Sequence, residues 1–173
     1  MERNPQMKKL KICVSACLLG FKYRYDGTSD FFTELVEQLK DKADFIPVCP
    51  EVECGLPIPR DKMHLKTSSR GTRLVKAETD EDMTGLLDRW LGVKLEQLAE
   101  RKPDGFLLHS RSPCCGLEST KLYNPEGRLF PRKTSGLFAA AVRRRFPSLP
   151  VGDETDLASF LEKLGLRKNR GSK

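Results

Sequence analysis

Apolar runs alternate with helical patterns along this chain. The stretch LKICVSA, beginning at Leu10, is rich in β-branched and small residues and predicts a buried strand. After Ser29, DFFTELVEQLKDK carries its apolar residues at helical spacing and predicts an amphipathic helix; DFIPVCP then predicts a second strand. The segment CGLPIPRDKMHLKTSSRG, 54–71, is rich in Pro, Ser and Lys and predicts a long loop, a kind of segment that is often functional in a compact domain. TRLVKAE predicts a short strand, and EDMTGLLDRWLGVKLEQLAERK predicts a long helix weakened at Gly85 and Gly92. DGFLLHS is another strand. SGLFAAAVRRRF is a helix ending before Pro147, LPVGDE a last short strand, and ETDLASFLEKLG a helix stopped by Gly165.

This alternation predicts an α/β fold: a single three-layer domain with a mainly parallel, Rossmann-like sheet. No repeat and no linker divides it, so the domain is expected over 9–165, with an N-terminal extension at 1–8 and a basic tail at 166–173. A length of 173 residues, 38% of them hydrophobic and 32% charged, suits one such core and excludes a disordered or membrane chain. No apolar run approaches the roughly 20 residues of a membrane helix. The opening MERNPQMKKL lacks the apolar run of a secretory signal, so the cytoplasm is the expected compartment. The net charge of +7 suits an anionic ligand. Part of it sits in Arg143, Arg144 and Arg145, and part in Arg167, Lys168, Arg170 and Lys173 of the tail, which reads as a solvated end.

The six cysteines change the picture. In a reducing compartment they are not a disulfide framework, so those outside the core are expected to bind metal or do chemistry. Cys17 lies just beyond the first strand, Cys49 at the end of the second, and Cys114 and Cys115 a few residues beyond DGFLLHS. Ligands of open parallel sheets bind outside the carboxyl ends of the strands, so these thiols are expected to converge on one edge. Close C-x2-C pairs, the usual mark of structural zinc, are absent. Cys13 points into the sheet as a small core residue. Cys54 is either a further ligand or a small residue that fits beside Gly55.

Three stretches, SACLLGFKYRYDG, PVCPEVECGLPIPR and SRSPCCG, together resemble the TudS-like thiouracil desulfidase family, and the resemblance runs from about Lys9 to about Leu164. It implies a [4Fe-4S] cluster held by only three cysteines, with one iron not bound by protein and free to take sulfur from the substrate. By motif, Cys17, Cys49 and Cys115 match the ligands. Cys114 stands where relatives commonly have Ser, and Tyr23 where many have Cys, so neither is expected to bind iron. The resemblance gives Glu51 an acid/base role and Ser112 a role in positioning or proton transfer. It implies a non-redox hydrolysis of a small thiolated uracil or its nucleotide, such as 4-thiouridine monophosphate. Longer relatives carry an additional C-terminal domain that has no counterpart here, so 4-thiouridine in tRNA is the less favoured substrate.

Arg24 and Asp26 in RYDG shape a turn before Gly27 or contact the substrate. Arg60 and His64 lie in the expected long loop, where Arg60 is placed to meet a phosphate. His109, in an apolar strand, reads as a hydrogen-bonded core histidine. Two other classes compete with the desulfidase: a nucleic-acid-binding module with a structural or regulatory cluster, and a zinc-binding or thiol scaffold without catalysis. Oligomeric state is left open by these features.

Overall fold

The computed structural model describes residues 8–166. The expected extension and basic tail lie outside the described residues, apart from Lys8 and Leu166. In chain order the elements are β1 (Leu10–Ser15), α1 (Thr33–Leu39), β2 (Ala43–Val48), α2 (Pro50–Glu53), β3 (Met63–Ser68), β4 (Gly71–Lys76), α3 (Thr84–Arg101), β5 (Gly105–Leu108), β6 (Leu122–Tyr123), α4 (Leu137–Arg145), β7 (Val151–Asp153) and α5 (Leu157–Lys163). Short 3-10 turns occupy Ala16–Leu19 and Glu154–Asp156.

Strands β2, β1, β5 and β7 lie side by side in that order, and every pairing is parallel. Successive side chains of a strand point to opposite faces, and the two cores follow that alternation. Ile12, Val14 and Leu107 pack with Leu35 and Leu39 of α1 and with Phe160 and Leu161 of α5. On the other face, Cys13, Phe106 and Leu108 pack with Leu87 and Leu98 of α3 and with Phe138 and Val142 of α4. A sheet covered on both faces needs apolar residues at consecutive positions, which is why Ile12–Val14 of β1 and all of β5 read as apolar runs. Each fully buried Leu or Phe contributes about 2 kcal/mol relative to exposure. The architecture is the expected three-layer α/β sandwich. Pro47 is tolerated inside β2 because β2 is an edge strand, where one missing amide leaves no ladder partner unpaired.

Two expectations are corrected. The 54–71 segment is not all loop: Met63–Ser68 is β3, which forms an antiparallel hairpin with β4 closed by Ser69 and Arg70, and which pairs in parallel with β6. Leu65 and Leu74 are fully buried beneath this second sheet. The period-two alternation of MHLKTS decides the strand, with Lys66 and Ser68 on the face opposite Leu65. Helix α1 also starts later than expected. The amides of Asp30 and Phe32 donate to the carbonyls of Cys17 and Leu18, so this segment is tied to the turn after β1.

Candidate active site

In chain order the sheet grows from β1 outward to β2, then returns across β1 to β5. That reversal opens a crevice at the carboxyl ends of β1 and β5, where open α/β sheets bind their ligands. A cavity of about 670 Å³ lies there, lined by Cys17, Cys49, Cys114 and Cys115 and by Glu51 and Ser112.

Each cysteine reaches the cavity by a different local device. Cys17 sits in the 3-10 turn that ends at Gly20, a residue at φ 93° that reverses the chain without strain. Cys49 precedes the single turn α2, whose first residue is Pro50; the Glu53 carboxylate accepts from the Cys49 amide at 3.0 Å and from Lys94 of α3 at 2.6 Å. Cys114 and Cys115 lie on the loop after β5, where Ser112 Oγ accepts from both of their amides at 3.2 and 3.1 Å. The start of α4 holds the loop from behind: Leu137 N donates to Pro113 O and Ala139 N to Cys114 O. At Gly136 an added Cβ would stand 2.4 Å from the Cys114 carbonyl, so the close approach of this helix end requires glycine.

All six thiols are free. Burial pushes the Cys17 thiol up to about 12, and the neighbouring Cys49 adds to the effect. Cys115 is raised well above its ordinary range, first by burial; the Ser15 hydroxyl beside it opposes the shift, and Cys49 and Cys17 reinforce it. Cys114 is likewise raised well above its ordinary range, first by burial; Glu51 and Cys49 add to the shift at both cysteines. Both cysteines line the cavity with Cys17 and Cys49. Cys13 is fully buried among apolar neighbours, as expected. The Cys54 thiol donates to the Glu51 carbonyl at 3.3 Å and is not part of the cavity wall. Among the described residues, no three His, Cys, Asp or Glu side chains gather tightly enough for a single metal ion.

The other expected site residues separate. Arg60 lines the cavity, and its side chain is only 6% exposed, with Nε donating to Glu51 at 2.7 Å and a terminal nitrogen donating to Tyr23 O at 2.8 Å. A buried guanidinium is held where its acceptors are, and these partners fix Arg60 beside Glu51. Arg24 lines the cavity and pairs with Asp30. Asp26 does not line it; its carboxylate accepts from the amide and hydroxyl of Thr28 at 3.0 and 2.6 Å, the turn role. His64 belongs to β3, with its ring 4.5 Å from that of Tyr123. His109 is hydrogen-bonded as expected, yet it lines the cavity.

Sequence reasoning passed over the second sheet's share of the wall. Lys62, Lys121, Tyr123 and Lys133 line the cavity, as does Arg111 from the cysteine loop. Among the described residues, no carboxylate pairs with these four cations. Lys62 instead lies 5.0 Å over the Tyr25 ring. The signal was present in the strand pattern of MHLKTS, whose pairing with β6 carries Tyr123 to the cavity.

Fold and site together define a doubly wound α/β protein with a thiol-lined cleft at its switch point. The family model for 2-thiouracil desulfurase matches residues 12–154, and the chain belongs to that family. A solved structure described as the [4Fe-4S]-dependent thiouracil desulfidase TudS is 30% identical, with 92% of this chain and 100% of that chain covered at a TM-score of 0.69. No curated protein matches. Among the described residues, no helix is long and apolar enough to cross a membrane.

Proposed function

We propose that the protein is a desulfidase that uses a [4Fe-4S] cluster to remove sulfur from a thiolated uracil, giving the oxo-pyrimidine and sulfide without net redox change. The observation that carries this reading is the arrival of three thiols from three strand ends at one cavity beside Glu51 and Ser112. Cys17, Cys49 and Cys115 would hold the cluster and leave one iron unbound by protein. The donor set fits: thiolates are the usual ligands of iron–sulfur clusters, and these three thiols line one cavity. When bound, the cluster supplies a soft Lewis acid for a thiocarbonyl sulfur.

The remaining work falls to the chain itself. Glu51, oriented by the buried Arg60, takes a proton from the attacking water. Ser112 holds the two cysteine amides with its oxygen and keeps its own hydroxyl proton for the substrate. Arg24 acts through Asp30 rather than on the substrate. Lys62, Lys121, Lys133 and Arg111 provide the positive wall for a 5′-phosphate, so a nucleotide such as 4-thiouridine monophosphate is favoured over the free base. One monophosphate engages only a few of these cations, whereas tRNA would engage many and bind with a steep salt dependence.

The test is anaerobic turnover by reconstituted protein of 2-thiouracil, 4-thiouracil, 4-thiouridine monophosphate and 4-thiouridine-containing tRNA. Equal amounts of sulfide and oxo-pyrimidine, formed without an electron donor and fastest from the nucleotide, are expected. A strict need for a reductant would exclude the hydrolytic reading, and preference for tRNA would replace the small substrate.

A further inference from the structure

The cavity holds a second titratable pair that the chemistry above leaves unused. His109 directly follows β5, and its Nε2 lies 2.8 Å from Oδ2 of Asp30. Arg24 clamps the same oxygen. Both members of the pair are fixed through the backbone: the Asp30 amide donates to Cys17 O at 3.1 Å, and the His109 amide donates to Ser15 Oγ at 2.9 Å. The imidazole is 18% exposed and lines the same cavity as Glu51.

The groups acting on it come from several elements. Asp30 and Arg24 belong to the segment between β1 and α1, Arg111 to the cysteine loop and Glu51 to α2, while Glu154 lies 3.9 Å from Nε2 in the turn after β7. Burial pushes the imidazole below its ordinary value; Glu154 and Glu51 pull it up, and Arg24 and Arg111 push it down. A neutral imidazole whose Nε2 proton goes to Asp30 presents Nδ1 as an acceptor. Among the described residues, no hydrogen bond engages that Nδ1.

Proton accounting gives such a group a task, on the desulfidase reading of the site. Converting a thiocarbonyl to a carbonyl strips the attacking water of both protons, and one carboxylate carries only one at a time. We propose that His109, oriented by Asp30, is the second proton acceptor of the reaction. In the first step water oxygen bonds to the thiocarbonyl carbon, Glu51 takes one proton, and the C=S π pair moves to sulfur. In the second step His109 Nδ1 takes the remaining hydroxyl proton, the carbonyl forms, and the C–S bond breaks with its pair going to sulfur. Protonated Glu51 then gives its proton to the departing sulfur, and His109 releases its own to solvent. Water and thiocarbonyl become carbonyl, hydrosulfide and one proton, with no electrons gained or lost. Asp30 is the positioning residue that sets the tautomer.

The test compares wild type, His109→Gln, His109→Ala and Asp30→Asn after anaerobic reconstitution. His109→Gln is expected to lose about 100-fold or more of kcat with little change in KM, while retaining the visible absorption of the cluster. Exogenous imidazole should restore part of the activity of His109→Ala and none of that of Glu51→Gln. Nitrogen NMR of the ring should report the Nε2–H tautomer in wild type and a shift away from it in Asp30→Asn, independently of turnover. An active wild type with an equally active His109→Gln, or loss of the cluster in both His109 variants, overturns the role of His109 alone. A wild type that loads a cluster but releases no sulfide overturns the desulfidase reading itself.

Discussion

The two sheets meet at one cavity and bring opposite chemistry to it. The parallel sheet ends in soft, neutral thiols with a carboxylate and a hydroxyl among them; the β4-β3-β6 sheet and its flanking residues add Lys62, Lys121, Lys133 and the Tyr123 ring. The thiol wall is built on buried strands with cores on both faces, whereas the basic wall is built on a smaller, partly exposed sheet. On the proposed function, the difference is a division of labour: the parallel sheet would fix the reacting groups, and the smaller sheet would select the carrier of the pyrimidine.

Breaking the thiol wall has the largest expected effect. Cys17→Ser or Cys49→Ser should each leave a reconstituted protein with almost no iron, read by metal analysis after desalting, whereas Cys54→Ala, outside the cavity wall, should retain it. Next come the groups between the thiols. Glu51→Gln and Ser112→Ala should keep the cluster's visible absorption while sulfide release falls about 100- to 1,000-fold. Full activity in either would remove that residue from the chemistry.

The basic wall should respond more gently and selectively. Lys121→Ala and Lys133→Ala are each expected to raise KM for 4-thiouridine monophosphate about tenfold, since a phosphate contact is worth roughly 1–2 kcal/mol, with a much smaller change for free 4-thiouracil. Equal effects on both substrates would place these lysines away from the phosphate. The smallest effect concerns how the second sheet is tied to α3. The Asp82 carboxylate accepts from Thr84 N at 2.9 Å and from Arg73 Nε at 2.8 Å. Burial opposes ionisation there, but the bonds from Thr84 and Arg73 outweigh it and hold the pKa at about 2. A depressed carboxyl stabilises the fold above its unfolded value of about 3.9 and loses that contribution as pH falls through the folded value. Urea denaturation of the cluster-free chain should therefore show Asp82→Ala about 1 kcal/mol less stable at pH 7, with the gap narrowing from about pH 4 toward pH 2.

The same contrast explains how far the fold and site were legible. Strands β1 and β5 announce themselves because burial on both faces demands consecutive apolar residues, Ile12–Val14 and Phe106–Leu108, and their ends locate the thiols. Strand β3 was read as loop because only Leu65 of its sequence is fully buried and the rest resembles a polar linker. With β3 missed, Lys62 and His64 could not be joined to Tyr123. Arg60 and Asp26 show a second limit. Their types suit an anion or a ring edge, but their partners, Glu51 and Thr28, are settled by local geometry that spacing alone does not reveal. For Asp30 the sequence offered no signal, because its role depends on His109, 79 residues away.

The most direct test of the account lies in the adjacent cysteines, which no bulk property of the chain separates. Iron and acid-labile sulfide should be measured per chain in wild type, Cys114→Ser and Cys115→Ser after identical anaerobic reconstitution. Wild type and Cys114→Ser are expected to hold about four irons with matching sulfide, and Cys115→Ser almost none. Retention in Cys115→Ser with loss in Cys114→Ser would contradict the ligand assignment, and zinc in place of iron would contradict the cluster itself.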